Sequence, residues 1–119
     1  MSCAWASEDE FMRHLIVALS ASGIGRVYRQ NAGAIKTTDE TTGKEYFVTL
    51  APAGAADISG ILRGGRRIEV ECKKGRTDKQ RKAQKEWQAM IESWGGVYVV
   101  VHGGMGIDGA MSAIRAACL

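Results

Sequence analysis

Glu71 and Lys73 stand two positions apart in the stretch Arg67 to Lys73 (RIEVECK), where charged and apolar residues alternate without a break. Strand side chains point alternately to opposite faces, so Arg67, Glu69, Glu71 and Lys73 share one face and Ile68, Val70 and Cys72 the other. An acid and a base then lie side by side. Asp57 precedes a short hairpin, turning at Gly64-Gly65, that leads back to this strand and can bring it to the same patch. Two carboxylates and a lysine around one spot suit hydrolysis of a phosphodiester, which needs a water nucleophile and relief of the phosphate charge. Mg²⁺ (or Mn²⁺) takes one or two carboxylates, with waters and phosphate completing an octahedron. Asp57 and Glu71 offer those carboxylates, and the ion would acidify water. Lys73 can orient the attacking water or hold a phosphate oxygen. The alternation alone is also what an exposed edge strand with one wet face shows.

The hairpin sets a geometric condition. Residues paired across an antiparallel ladder share a face. A two-residue Gly64-Gly65 loop would put Asp57 opposite Cys72 and away from Glu71. An odd loop or a bulge puts Asp57 opposite Glu71, and that is the expectation, with glycine taking the positive φ.

The elements that must position these residues follow from periodicity. Phe11, Leu15, Ala18 and Leu19 recur at helical spacing and predict a helix from about Glu8 to Ser20, with Ser7 and Glu10 in a capping-box pattern and Ala21-Ser22-Gly23 ending it. Strands are expected at Arg26 to Asn31, Tyr46 to Leu50, Asp57 to Leu62 and Arg67 to Lys73, with Thr37 to Lys44 an exposed loop or hairpin tip. Thr77-Asp78 can cap a helix running to about Trp94, with the stripe Ala83, Trp87, Met90, Ile91 and Trp94 facing a core and Gly95-Gly96 stopping it. Val97 to Val101 (VYVVV) lacks alternation, which predicts burial on both faces. His102-Gly103-Gly104-Met105-Gly106 reads as a flexible turn, and a last helix runs from about Asp108 to Cys118. The order α-β-β-β-β-α-β-α predicts an α/β fold, a mixed β-sheet flanked by α-helices.

The chain's 119 residues suit one domain, residues 1–119, and 45% hydrophobic with 24% charged residues suits a normal core. No apolar run approaches a membrane span. The start, MSCAWASEDE, lacks the basic-then-apolar layout of a secretion signal, which leads to an expected cytoplasmic location, a host's cytoplasm if the chain is phage-encoded. Cys3, Cys72 and Cys118 are too widely spaced for a zinc site or disulfide framework, and Cys72 is expected to pack as a small apolar side chain. The net charge is only +3, but basic residues crowd the stretch from Arg63 to Lys85. Lys74, Arg76, Lys79, Arg81 and Lys82 are the candidate nucleic-acid-binding residues there, since such a field attracts a polyanion. A solvated basic surface has the same composition. Trp5 lies outside any helical stripe.

Several segments together resemble one nuclease family. They are Arg29-Gln30-Asn31-Ala32-Gly33-Ala34, Gly54-Ala55-Ala56-Asp57-Ile58-Ser59-Gly60, Glu71-Cys72-Lys73-Lys74-Gly75-Arg76, then Gln84 and Gly95-Gly96, with Ser7-Glu8 opening the first helix. In order and spacing they resemble the virus-type replication-repair nucleases (VRR-NUC) of the PD-(D/E)xK superfamily, of the stand-alone, phage-like kind. The resemblance spans Glu8 to about Val101. It implies a restriction-endonuclease-like core and Asp57 and Glu71 as metal-binding acids. It also implies a metal contact from the main chain of Cys72, Lys73 as catalytic lysine, and Gln84 and Glu8 as accessory active-site residues. Ala56 stands where the superfamily has a proline. The segment Arg76 to Gln84 is longer than expected, which leaves Gln80 and Gln88 as rivals to Gln84. The implied activity is metal-dependent endonucleolytic cleavage of branched DNA, including four-way junctions, by a homodimer. A non-catalytic nucleic-acid-binding module and a restriction-type nuclease are the alternatives. The apolar last helix, Ile107 to Leu119, suits either a dimer interface or packing on the chain's own sheet.

Overall fold

The computed structural model describes residues 7–30, 34–73 and 80–119. Its elements in chain order are α1 (Glu8–Ser22), β1 (Gly25–Arg29), β2 (Ala34–Thr38), β3 (Glu45–Thr49), β4 (Ile58–Leu62), β5 (Arg67–Lys73), α2 (Lys82–Ser93), β6 (Val97–His102) and α3 (Gly106–Ala117). The first helix opens as its sequence predicts: Ser7 Oγ accepts from the Glu10 amide at 3.1 Å, satisfying an amide that has no partner within the helix. Phe11, Met12, Leu15 and Leu19 form its buried stripe.

Four strands form one mixed sheet in the order β1-β4-β5-β6. β1 and β5 run antiparallel to β4, and β6 runs parallel to β5. The parallel step requires a crossover, and α2 supplies it. On one face of the sheet, α1 and α3 pack over Val27, Ile58, Leu62, Ile68, Val70, Cys72, Val97, Val99 and Val101, which form the main core. On the other face a smaller cluster joins Trp87, Met90 and Ile91 of α2 to Ala56 and Tyr98. The fold is therefore mixed α/β with helices on both sides of the sheet, as expected. Among the described residues no helix is long and apolar enough to cross a membrane.

Several local expectations require correction. Residues 34–38 form a strand, β2, where no strand is expected. It pairs with β3 in a separate two-stranded hairpin, from Ala34↔Thr49 to Thr38↔Glu45. The reason is that neither face of this arm packs on the core, so its side chains carry no burial period. Ile35, Tyr46, Phe47 and Val48 are all exposed. The polar tip beyond it is a turn built by Asp39, whose Oδ1 accepts from the amides of Thr41 and Thr42. The turn expected at residues 102–106 contains a 3₁₀ turn at Gly103–Met105 that leads directly into α3. Trp94 is 82% exposed rather than part of a core stripe, because α2 ends at Ser93 and Trp94 falls beyond its last turn. β6 is an edge strand, so Val100 stays partly exposed while its neighbours are buried. Cys3, Trp5, Asn31-Ala32-Gly33, Gly75 and the expected cap Thr77-Asp78 lie outside the described residues.

The segment before β4 is held against α2 at Gly54. Its φ is +84°, and a Cβ there would stand 2.1 Å from the Ala83 carbonyl oxygen. Both the backbone conformation and the close approach require glycine. Gly54→Ala is expected to cost about 2 kcal/mol or more, read as a lower denaturant midpoint at unchanged slope. A midpoint equal to that of the parent would show that this contact does not set the loop.

Candidate active site

The β4–β5 connection meets the geometric condition set by the sequence. Leu62 N–H donates to Arg66 O at 2.8 Å, closing Arg63-Gly64-Gly65 into an odd loop. Gly64 and Gly65 have φ of +94° and +96°. The register runs Ile61↔Arg67, Ser59↔Glu69, Ile58↔Val70, and one step further sets Asp57 beside Glu71. Asp57 is fixed there by the sheet itself, since its Oδ2 accepts from the Cys72 amide at 2.9 Å. Gln30 holds the same point from β1's side: its amide donates to Asp57 O at 2.7 Å and its Nε2 to Ala56 O at 3.0 Å.

The two carboxyls meet in a mostly buried setting. Burial, then hydrogen bonding and charge repulsion from Asp57, push Glu71 up to about 8 from an ordinary value of 4.5, while Lys73 pulls the other way. The Tyr98 hydroxyl donates to Glu71 Oε2 at 3.4 Å. Burial and the Glu71 charge push the Tyr98 phenol above its ordinary range. Tyr98 is a site residue that the sequence reading passes over, because it sits inside a valine run. Its one signal is a hydroxyl on the strand face that Glu71 also uses.

Lys73 Nζ donates to Gln84 Oε1 at 2.8 Å, and the same oxygen accepts from the Arg81 amide at 2.9 Å. The helix start and the lysine are thus joined through one side chain. Of the three glutamines that sequence leaves in competition, Gln84 is the one on Lys73. Gln80 instead donates to Gln88 Oε1 at 2.8 Å.

Glu69 shares the face of Glu71 but has a different task. It is fully buried and accepts from Ala56 N at 3.0 Å, Trp87 Nε1 at 2.9 Å and Arg67 Nε at 3.0 Å. The salt bridge to Arg67 joins two residues of one strand face, and the ties to Ala56 and Trp87 reach other parts of the chain. Cys72 points into the main core, as expected, and burial followed by the Asp57 and Glu71 charges pushes its thiol well above the usual range. Glu8 opens α1, and its charge adds a last, small push to the same thiol. Arg81 and Lys82 are exposed at the start of α2. Lys74, Arg76 and Lys79 lie outside the described residues.

Among the described residues no group of three or more His, Cys, Asp and Glu is arranged to hold a metal. The pair Asp57–Glu71 nevertheless fits a hard divalent cation: it is two oxygen donors in contact, with the mutual repulsion that such a cation relieves. No protein-family model matches the chain, and no curated protein matches it.

The raised Glu71 value has a thermodynamic consequence. Folded, Glu71 keeps its proton to about pH 8; unfolded, it loses it near 4.5. The folded state therefore binds more protons across that window, and stability falls as pH rises from about 5 to 8. Thermal unfolding without divalent cations is expected to show a melting temperature that drops by several degrees over this range. Glu71→Gln should flatten the dependence, and an equally steep decline in that variant would rule out Glu71 as its source.

Proposed function

We propose that this chain is a metal-dependent endonuclease of the VRR-NUC type, with a PD-(D/E)xK core, that hydrolyses phosphodiester bonds in branched DNA. The observation that carries this reading is the ladder register that, continued one step, sets Asp57 beside Glu71, with Asp57 held by the Cys72 amide and Lys73 two residues on. A binding module has no use for two acids forced together next to a polyanion. A nuclease does, because Mg²⁺ or Mn²⁺ bound by Asp57, Glu71 and the Cys72 carbonyl would supply charge relief at the phosphate and favour ionisation of water.

The chain's own residues account for the rest. Gln84 holds the Lys73 ammonium at 2.8 Å, so the lysine is restrained before substrate arrives. Its other N–H groups remain to donate to a phosphate oxygen or to orient the attacking water. The Cys72 amide keeps Asp57 in the rotamer that faces Glu71. Tyr98 donates to Glu71 Oε2 and steadies the carboxyl that carries the raised proton affinity. Arg81 and Lys82, exposed at the start of α2 next to the Lys73–Gln84 contact, offer a basic approach for DNA. Lys74, Arg76 and Lys79, close by in sequence, are further candidates for the same role, and Glu8 is a candidate accessory acid.

The cut of a four-way junction must be made twice and symmetrically, which a two-fold dimer supplies. The α3 stripe does not provide the interface, because Ala110, Met111 and Ile114 are buried within the chain itself. The β2–β3 arm offers a better face: Ile35 and Tyr46 lie with Val48 on one side, and Phe47, on the other, is 71% exposed.

Asp57→Asn, Glu71→Gln and Lys73→Ala are each expected to lower Mn²⁺- or Mg²⁺-dependent cleavage of a branched DNA by about a hundredfold or more, while Lys73→Ala still binds DNA in a gel-shift assay. Parent-like cutting by Lys73→Ala removes the proposed chemistry. Light scattering at micromolar concentration is expected to give twice the chain mass, and Val48→Glu, on the Ile35–Tyr46 side of the arm, the single mass. A monomeric parent that cleaves flaps but leaves four-way junctions whole rejects the dimer and keeps the nuclease.

A further inference from the structure

Helix α2 covers only part of the sheet face that carries Glu69 and Glu71. Its contacts run to Tyr98 on β6 and to Ala56, in the segment before β4. On the same face, the β1–β4 side is open. There Tyr28 pairs with Ser59 and Arg26 with Ile61, while Ser59 pairs with Glu69 and Ile61 with Arg67 across the next ladder. Paired residues share a face, so these side chains gather on one surface. They enclose a groove of about 360 Å³, lined by Arg26, Tyr28, Ser59, Ile61 and Arg67.

We propose that this groove binds one unpaired nucleotide of the DNA substrate, next to the phosphate that is cut. Four observations support it. The Tyr28 ring is 57% exposed and Ile61 is 54% exposed beside it, a flat apolar platform on which a base can stack. Arg26 and Arg67 bring two guanidinium groups to the rim, and among the described residues no carboxylate lines the groove. Among the described residues Arg26 has no ion pair, while Arg67 gives only its Nε to Glu69, so both can reach a phosphate. The third observation concerns Ser59. It is 1% exposed, and its Oγ is buried without a hydrogen-bond partner. A buried hydroxyl left unpaired is a cost to the fold unless something else completes it; the edge of a base carries the donors and acceptors to do so. The fourth is position. Ser59 lies two residues along the strand from Asp57, about 7 Å, so a backbone running from the acid pair into the groove needs to advance only about one nucleotide.

A groove of this kind selects DNA in which a nucleotide next to the cut is already unstacked. Paired DNA must lose a base pair to fill it, and branched DNA need not. The inference rests on the nuclease reading, and the two are separated by measuring binding and cleavage on different substrates. Binding is read by fluorescence anisotropy in Ca²⁺, with a fork carrying unpaired arms and a fully paired duplex of the same length. The parent is expected to prefer the fork. Tyr28→Ala should weaken fork binding by about tenfold and leave duplex binding within twofold, while Tyr28→Phe, which keeps the ring, retains the preference. Arg26→Gln should weaken fork binding severalfold and reduce its salt dependence. Ser59→Ala gives a signature that a purely structural serine would not: a melting temperature higher by about 4 °C, since an unpaired hydroxyl is gone, together with weaker fork binding. Tyr28→Ala and Arg26→Gln binding the fork as the parent does, in a parent that cuts DNA, would overturn the groove and leave the nuclease standing. A parent that neither binds nor cuts either DNA overturns both.

Discussion

The carboxylate of Glu69 holds the site together without belonging to it. It is completely buried and takes hydrogen bonds from three parts of the chain: the Ala56 amide before β4, the Trp87 indole on α2 and the Arg67 guanidinium on its own strand. A buried charge is tolerable only when it is paired and its lone pairs are met. Here meeting that need fixes three positions at once. The Ala56 bond sets the residue next to Asp57, and the Trp87 bond sets the helix that carries Gln84. Asp57 and Lys73 therefore reach their places through a residue that is itself sealed from solvent.

The same logic explains why Glu71 differs from Glu69 although both point from one strand to one side. Glu69 meets N–H groups, and Glu71 meets another carboxyl and a phenol. The strand supplies two identical groups, and their surroundings tie one into hydrogen bonds across three parts of the chain and raise the proton affinity of the other. On the proposed reading this contrast is useful: a cation is drawn to the unsatisfied acid pair, not to the satisfied neighbour.

Much of this was legible in residue spacing. The face shared by Glu69, Glu71 and Lys73, the odd glycine loop that brings Asp57 to Glu71, the cap at Ser7 and the core role of Cys72 all follow from rules that act over a few residues. What escaped acts over longer range or without a period. β2 was hidden because an arm that packs on nothing has no buried face to mark it in sequence. Trp94 looked like core because helical spacing cannot show where the helix stops. Tyr98 joins the candidate site only once β6 is laid against β5, a pairing that local pattern does not specify. The structure is also what separates Gln84 from Gln80 and Gln88, three amides on one helical stretch that differ only in which neighbours they reach.

The β2–β3 arm matters for how the chain closes on itself as well as for what it exposes. β1 ends at Arg29 and β4 begins at Ile58, and the two are neighbours in the sheet. Pairing them directly would mean closing a long, loose loop, whose entropy cost grows with its length. Within that connection, residues 34–49 form a hairpin through purely local contacts, the kind that assemble in microseconds. Its base is then clipped where the Gln30 amide meets the Asp57 carbonyl. With the hairpin formed and its mouth tied at Gln30 and Asp57, pairing β1 with β4 costs less chain entropy than closing an unstructured connection of the same length.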